Sequence, residues 1–232
     1  MENYFNQEHF KFLSNVDRNA QGYVGNNSLQ WAKSVVPAHG FDARLDKRFN
    51  RYELFDFCKD PKNDEINVVT AILSWGGMRR DHGRLLLKNF DSLASLITDL
   101  RNGKYKSREE AFLEFQNRRV EGRLPGLGIG YYTKLICFLS PELNGYIMDQ
   151  WVAKSINLLT GKNIVKLTSG SWVNDSNDSK TYESFCTHVD CLAYQMKCSG
   201  FEVEEVIFSV GRGQGEWRNY LIRHYKNQDR KS

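Results

Sequence analysis

Apolar residues recur at helical spacing through most of the chain. From Asn27 onward, Leu29, Trp31, Ala32, Val35 and Val36 fall roughly on one face, and Pro37 predicts the stop because it cannot continue a helix. Asp64 is placed to cap a helix whose apolar positions are Ile66, Val69, Ala71, Ile72 and Leu73, and Gly76-Gly77 predicts its end. Asp91 opens a third pattern through Leu93, Leu96, Ile97 and Leu100, closed by Asn102-Gly103. Ser107 with Glu110 three residues on reads as a capping box ahead of Ala111, Phe112 and Phe115. Later, Phe185, Val189, Leu192 and Met196 form a stripe that stops at Ser199-Gly200. No alternating strand pattern stands out, so the pattern predicts a mainly α protein. The polar run 168–179 predicts a surface loop, and no internal repeat or low-complexity tract is visible.

Composition narrows the class. With 232 residues, 41% of them hydrophobic and 26% charged, the chain has enough apolar side chains for one large domain or two small lobes and too many for a disordered segment. Five cysteines, an odd number, agree with a reducing compartment. The opening MENYFNQEHFKFL lacks a basic stretch followed by a long apolar core, and no apolar run is long enough to span a bilayer. The expectation is a cytoplasmic protein without membrane contact, acting as a monomer. Net charge is only +4, but its distribution is uneven. Arg79, Arg80, Arg84 and Lys88 face one acid, Asp81, within residues 79–88; residues 101–134 carry eight basic against four acidic side chains, and residues 212–231 six against two. Three such stretches predict a polyanion-binding face, with solvated helix surfaces as the alternative.

The segment 118–160 carries the chemistry. Leu124-Pro125-Gly126-Leu127-Gly128 leads into a helix predicted over Ile129 to Leu139, followed by Tyr146-Ile147-Met148-Asp149 and a further apolar helix through Val152, Ile156 and Leu159. Glycines at such a junction permit a tight turn and let the amides of the new helix approach a phosphate with no Cβ in the way. Neither a Walker-type loop nor a strand-led dinucleotide fingerprint is present.

This arrangement resembles the helix-hairpin-helix DNA glycosylases, and its spacing is similar to that of the 8-oxoguanine branch. The resemblance implies an all-α, two-lobed fold over residues 1–232. It implies that Pro125, Gly126, Leu127, Gly128 and Gly130 form a hairpin gripping double-stranded DNA, with Lys154 as a further DNA contact. It implies Asp149 as the catalytic carboxylate and Gln150 and Trp151 as lining of the base pocket. A monovalent cation at the hairpin carbonyls is implied in the same way; no other cofactor and no metal is expected. Bases are cut from their sugar only after leaving the stack. The bend Trp75-Gly76-Gly77-Met78-Arg79-Arg80 resembles the family's intercalating loop, with Met78 as the wedge and Arg79 and Arg80 holding the estranged base or phosphates.

The departures are informative too. Lyase members carry a Schiff-base lysine where this chain has Gly130, and a glycine offers no nucleophile. Lys134 lies one turn further on, about 5.4 Å along a helix axis, which favours a monofunctional enzyme over a lyase using Lys134. The iron-sulfur spacing is absent, and Cys186, His188 and Cys191 read as one continuous helix rather than a zinc site. The expected function is hydrolysis of the N-glycosidic bond of a damaged or modified base. Two alternatives remain: a glycosylase attacking hypermodified bases of phage DNA in antiviral defence, and a non-catalytic hairpin protein that only binds DNA. A carboxylate near phosphates disfavours the last, since binding alone has no use for it.

Overall fold

A computed structural model describes residues 4–18, 22–169, 172–208 and 215–228, with side chains as far as Tyr225. Among these the protein is all-α apart from one ribbon. In chain order the elements are α1 (Gln7–Ser14), α2 (Ser28–Val35), α3 (Arg51–Lys59), α4 (Glu65–Trp75), α5 (Arg80–Leu87), α6 (Phe90–Arg101), α7 (Arg108–Val120), α8 (Ile129–Leu139), α9 (Gln150–Thr160), β1 (Leu167–Thr168), β2 (Trp172–Val173), α10 (Ser179–Met196), α11 (Gly200–Phe208) and α12 (Glu216–Gln228). No helix among the described residues is long and apolar enough to cross a membrane. The chain divides into two compact units: Val24–Gly145, and Met1–Tyr23 with Tyr146–Ser232.

The unit over Val24–Gly145 is built around α4. The Asp64 side chain accepts from the Asn67 amide at 3.0 Å and starts the helix. Every residue from Asn67 to Trp75 is buried, and α2, α3, α6 and α8 pack around it. A helix apolar on all sides has nowhere to go but the centre. Each fully buried Val, Leu or Ile contributes roughly 1.5–3 kcal/mol, so burial outweighs the cap, worth about 1 kcal/mol. Two local expectations shift. The helix assigned to Asp91 has Asn89 at its N-cap position, without a side-chain cap bond, leaving Asp91 in the first turn. Ser107 caps α7 by accepting from Glu110 N, but Glu110 Oε2 accepts from the Lys106 amide at 2.7 Å, so only half of the box forms. Tyr132 of α8 is fully buried, stacked on Phe115 at 5.4 Å and edge-on to Phe112 at 4.9 Å, so it fastens α8 to α7.

The second unit has α9 at its centre, with α1, α10, α11 and α12 around it. Seven of the eleven residues of α9 are buried, and its C-terminus closes on Gly161 at φ 67°. The run 168–179 is less of a loop than its composition predicts. Leu167 pairs with Val173 and Thr168 with Trp172 in an antiparallel ribbon, and Ser179 already belongs to α10 under an Asp178 cap. Strands of two residues are too short for alternation to register in sequence. Cys186 and Cys191 lie along the uninterrupted α10 and neither is in a disulfide.

The lead-in to α9 is clamped. Tyr146, Ile147 and Met148 are buried, the Tyr146 hydroxyl donates to Asp190 Oδ1 at 2.6 Å, and the Tyr182 hydroxyl donates to the Tyr146 carbonyl at 3.0 Å. Gly200 lies against the Tyr146 ring so closely that a Cβ there would meet the hydroxyl oxygen at 1.9 Å. Gly200→Ala is therefore expected to cost about 1–3 kcal/mol, as overpacking typically does, by pushing Tyr146 off Asp190. Urea unfolding measures it; a midpoint equal to wild type would mean that Tyr146 is not clamped at Gly200.

Candidate functional site

The two glycines of the hairpin turn are there for different reasons. Gly126 has φ +78°, and a Cβ on it would meet the carbonyl oxygen of His82 at 3.0 Å, so the fold itself demands glycine. Gly128 sits at φ −75°, ψ 167° as the N-cap of α8, and a Cβ there would meet nothing within 4 Å. The fold does not require glycine at that point. A serine or aspartate would cap the helix better, yet α8 has no side-chain cap. The missing side chain leaves the first amides of α8 open on the half-exposed side of the turn, the arrangement that receives a phosphate. Leu124 and Leu127 are buried and pin the turn, while Pro125 and Gly130 are half-buried. The Gly128 carbonyl accepts from Tyr131 and Tyr132 and that of Leu124 from Leu127, so a monovalent cation at this hairpin would be held by the carbonyls of Pro125 to Leu127.

Lys134 is 5% exposed, and its Nζ donates to the carbonyl of Gly130 at 2.7 Å. Side chains on a helix lean toward its N-terminus, and here the lysine spans the whole turn. Its amine thus lies at residue 130 although its Cα does not. Space for the stem comes from Gly76, where a Cβ would meet Lys134 Cδ at 2.8 Å. The length of its side chain therefore carries the amine back along the axis to the level of residue 130.

The Gly76-Gly77 bend corrects one expectation. Met78 is 2% exposed and its carbonyl accepts from Trp31 Nε1 at 2.7 Å, so Met78 is a core residue and offers no wedge in this conformation. Gly77, Arg79 and Arg80 are exposed beside it. Arg79 pairs with Asp81 at 2.5 Å, which raises the guanidinium pKa further, and Arg80 Nε donates to Ser34 Oγ at 2.9 Å. These arginines border a polar groove of about 510 Å³ whose other wall is Asn26, Asn27 and Gln30. No periodic or motif signal marked those three amides in the sequence. The basic stretch 101–134 is largely spent inside the fold: Arg101 donates to the Asn63 and Asp60 carbonyls, Arg108 to that of Asn144, and Arg118 to Ser92 and Ser95. Of the stretch 212–231, Arg212, Arg230 and Lys231 fall outside the described residues.

In the other unit, Asp149 is the N-cap of α9. Its Oδ1 accepts from the amides of Trp151 at 2.8 Å and Val152 at 3.1 Å. No hydrogen bond to Oδ2 occurs among the described residues, and the residue is half-exposed. One oxygen fixes the carboxylate and the other faces outward. Gln150 is half-buried next to it. Lys154 Nζ lies 4.8 Å from the centre of the Trp151 ring, so Lys154 covers the candidate pocket aromatic as well as offering a charge. Arg218 of α12, which sequence reading passed over, has its Cζ 3.7 Å above the same ring. Burial lowers its pKa to about 10, and the charge of Asp149 partly opposes that. The one group of three or more potential ligand side chains that converges among the described residues is Glu8, His9 and His224, and His9 Nδ1 is already bonded to the Tyr220 hydroxyl at 2.8 Å.

The model of the family described as "Putative 8-oxoguanine DNA glycosylase OGG-like protein" matches residues 21–208. No curated protein and no solved structure matches the chain.

The contrast between the glycines is testable. Gly126→Ala should destabilise by about 1–2 kcal/mol, the usual penalty for a left-handed non-glycine residue. Gly128→Ala should cost less, about the 0.5–1 kcal/mol by which alanine is the poorer N-cap, while weakening binding to duplex DNA. Equal DNA affinity for Gly128→Ala and wild type would remove the α8 amides from the interface.

Proposed function

The chain belongs to the OGG-like family of 8-oxoguanine DNA glycosylases, and from that premise we propose that it flips a damaged or modified base out of duplex DNA and cuts its N-glycosidic bond with Asp149. The observation that supports this most is the divided Asp149 carboxylate, with Oδ1 held by two amides and Oδ2 facing outward. As the bond between C1′ and the base nitrogen breaks, its electron pair leaves with the base and positive charge develops on the sugar. A fixed carboxylate stabilises that charge without reorganising, which is where electrostatic catalysis gains most. The attacking water bonds to C1′ and gives up a proton for which Oδ2 is the acceptor. The open amides at Gly128 and the exposed Arg79 and Arg80 supply phosphate contacts.

A second outcome at the sugar is favoured by one observation, the 2.7 Å bond from Lys134 Nζ to the Gly130 carbonyl. An amine delivered to residue 130 can attack C1′ in place of water, form an imine on the opened sugar, and lead by loss of a C2′ proton to expulsion of the 3′ phosphate. We therefore assign a lyase step to Lys134, against the monofunctional expectation from spacing.

Mass spectrometry of bases released from duplexes bearing different modified bases, with glycosylated phage DNA alongside, tests the glycosylase reading. Release of at least one base is expected; release of none, with DNA affinity retained, would favour the binding-only alternative. Borohydride during turnover should trap a covalent adduct with wild type and none with Lys134→Ala. An adduct that survives Lys134→Ala would assign the amine elsewhere. Affinity should fall by orders of magnitude between roughly 50 and 200 mM salt, and a flat response would point to a ligand other than nucleic acid.

A further inference from the structure

Arg218 is 4% exposed and yet only partly satisfied. Its Nη2 donates to the Phe208 carbonyl, and its Nε is buried with no hydrogen-bond partner. A guanidinium cannot shed its charge as a lysine can, so an unpaired buried N–H on it is a standing cost. Such a group persists where something outside the free protein completes it. The surroundings indicate what that is. The guanidinium lies flat over Trp151 at 3.7 Å and within the field of Asp149. Trp217, its neighbour on α12, donates Nε1 to Ser155 Oγ at 2.8 Å, and Ser155 in turn donates to the Trp151 and Ile207 carbonyls. Trp217 therefore ties α12 to α9 next to Arg218.

Burial argues against a phosphate contact. Arg79, the type of residue that meets a DNA backbone, has a side chain 71% exposed. The gap of 3.7 Å leaves no room for a base between guanidinium and indole, so a base at Asp149 would meet Arg218 edge-on. Paired guanidinium donors suit ring nitrogen and carbonyl acceptors of a purine. A fixed positive charge there also repels a base that carries one itself.

We propose that Arg218 is a specificity-determining residue of the base site, reading acceptor atoms on a neutral, carbonyl-bearing purine and rejecting purines made cationic by N-alkylation. This rests on the assignment of Asp149 as the catalytic carboxylate. It lies beyond the family match, which ends at residue 208.

Three duplexes separate the outcomes: one with 8-oxoguanine, one with 7-methylguanine and one with a tetrahydrofuran abasic-site analogue that has no base. Wild type should release 8-oxoguanine and leave 7-methylguanine. Arg218→Gln should lower kcat/KM on 8-oxoguanine about ten- to a hundredfold, narrow the preference over 7-methylguanine, and bind the abasic analogue within twofold of wild type. Arg218→Lys keeps the charge and loses the planar donors, so it should lose 8-oxoguanine release while still refusing 7-methylguanine; it serves equally if Arg218→Gln does not fold. Release of neither base, a preference for 7-methylguanine, or variants that lose abasic-analogue binding in parallel with turnover would overturn the proposal. Failure of wild type to bind the abasic analogue at all would overturn the glycosylase reading with it.

Discussion

The amides of Trp151 and Val152 hold Oδ1 of Asp149, and the rest of the candidate site depends on that arrangement. An N-cap is worth about 0.5–2 kcal/mol, small beside the burial of seven residues of α9. Its larger effect is directional. Because α9 is the central helix of its unit and Tyr146 to Met148 are clamped against α10 and α11, the capped oxygen cannot turn, and the other oxygen keeps one heading. A helix-opening aspartate is ordinarily read as either a cap or a catalytic group. Here one carboxylate has an oxygen for each role.

A similar economy appears at the hairpin. Gly126 is required by its left-handed backbone and by the close approach of His82, whereas Gly128 answers to no constraint within the fold. Gly76 clears the path of the Lys134 side chain by lacking a Cβ where Cδ passes.

Much of this was legible in the sequence. The helix over Ile129 to Leu139 and the capping role of Asp64 followed from periodicity and cap chemistry, because both are local properties. Met78 and Arg218 were misread or missed for one shared reason: each is decided by contacts distant in sequence. Met78 sits in a polar-looking bend, yet Trp31, 47 residues away, bonds its carbonyl and it lies in the core. Arg218 belongs to a stretch that looks like a solvated basic face, and the aromatic ring beneath it comes from a helix some sixty residues earlier. Charge runs such as 101–134 overstate a binding surface when their arginines serve backbone carbonyls.

The most direct test of the account replaces Asp149 by asparagine. Asparagine caps a helix about as well as aspartate, so Asp149→Asn should melt close to wild type and bind duplex DNA as well or better, since a negative charge near phosphates has gone. Base release should fall by about 10²–10⁴-fold, the usual worth of a positioned acid-base group. A folded Asp149→Asn protein that releases base at the wild-type rate would reduce Asp149 to a cap and contradict the mechanism.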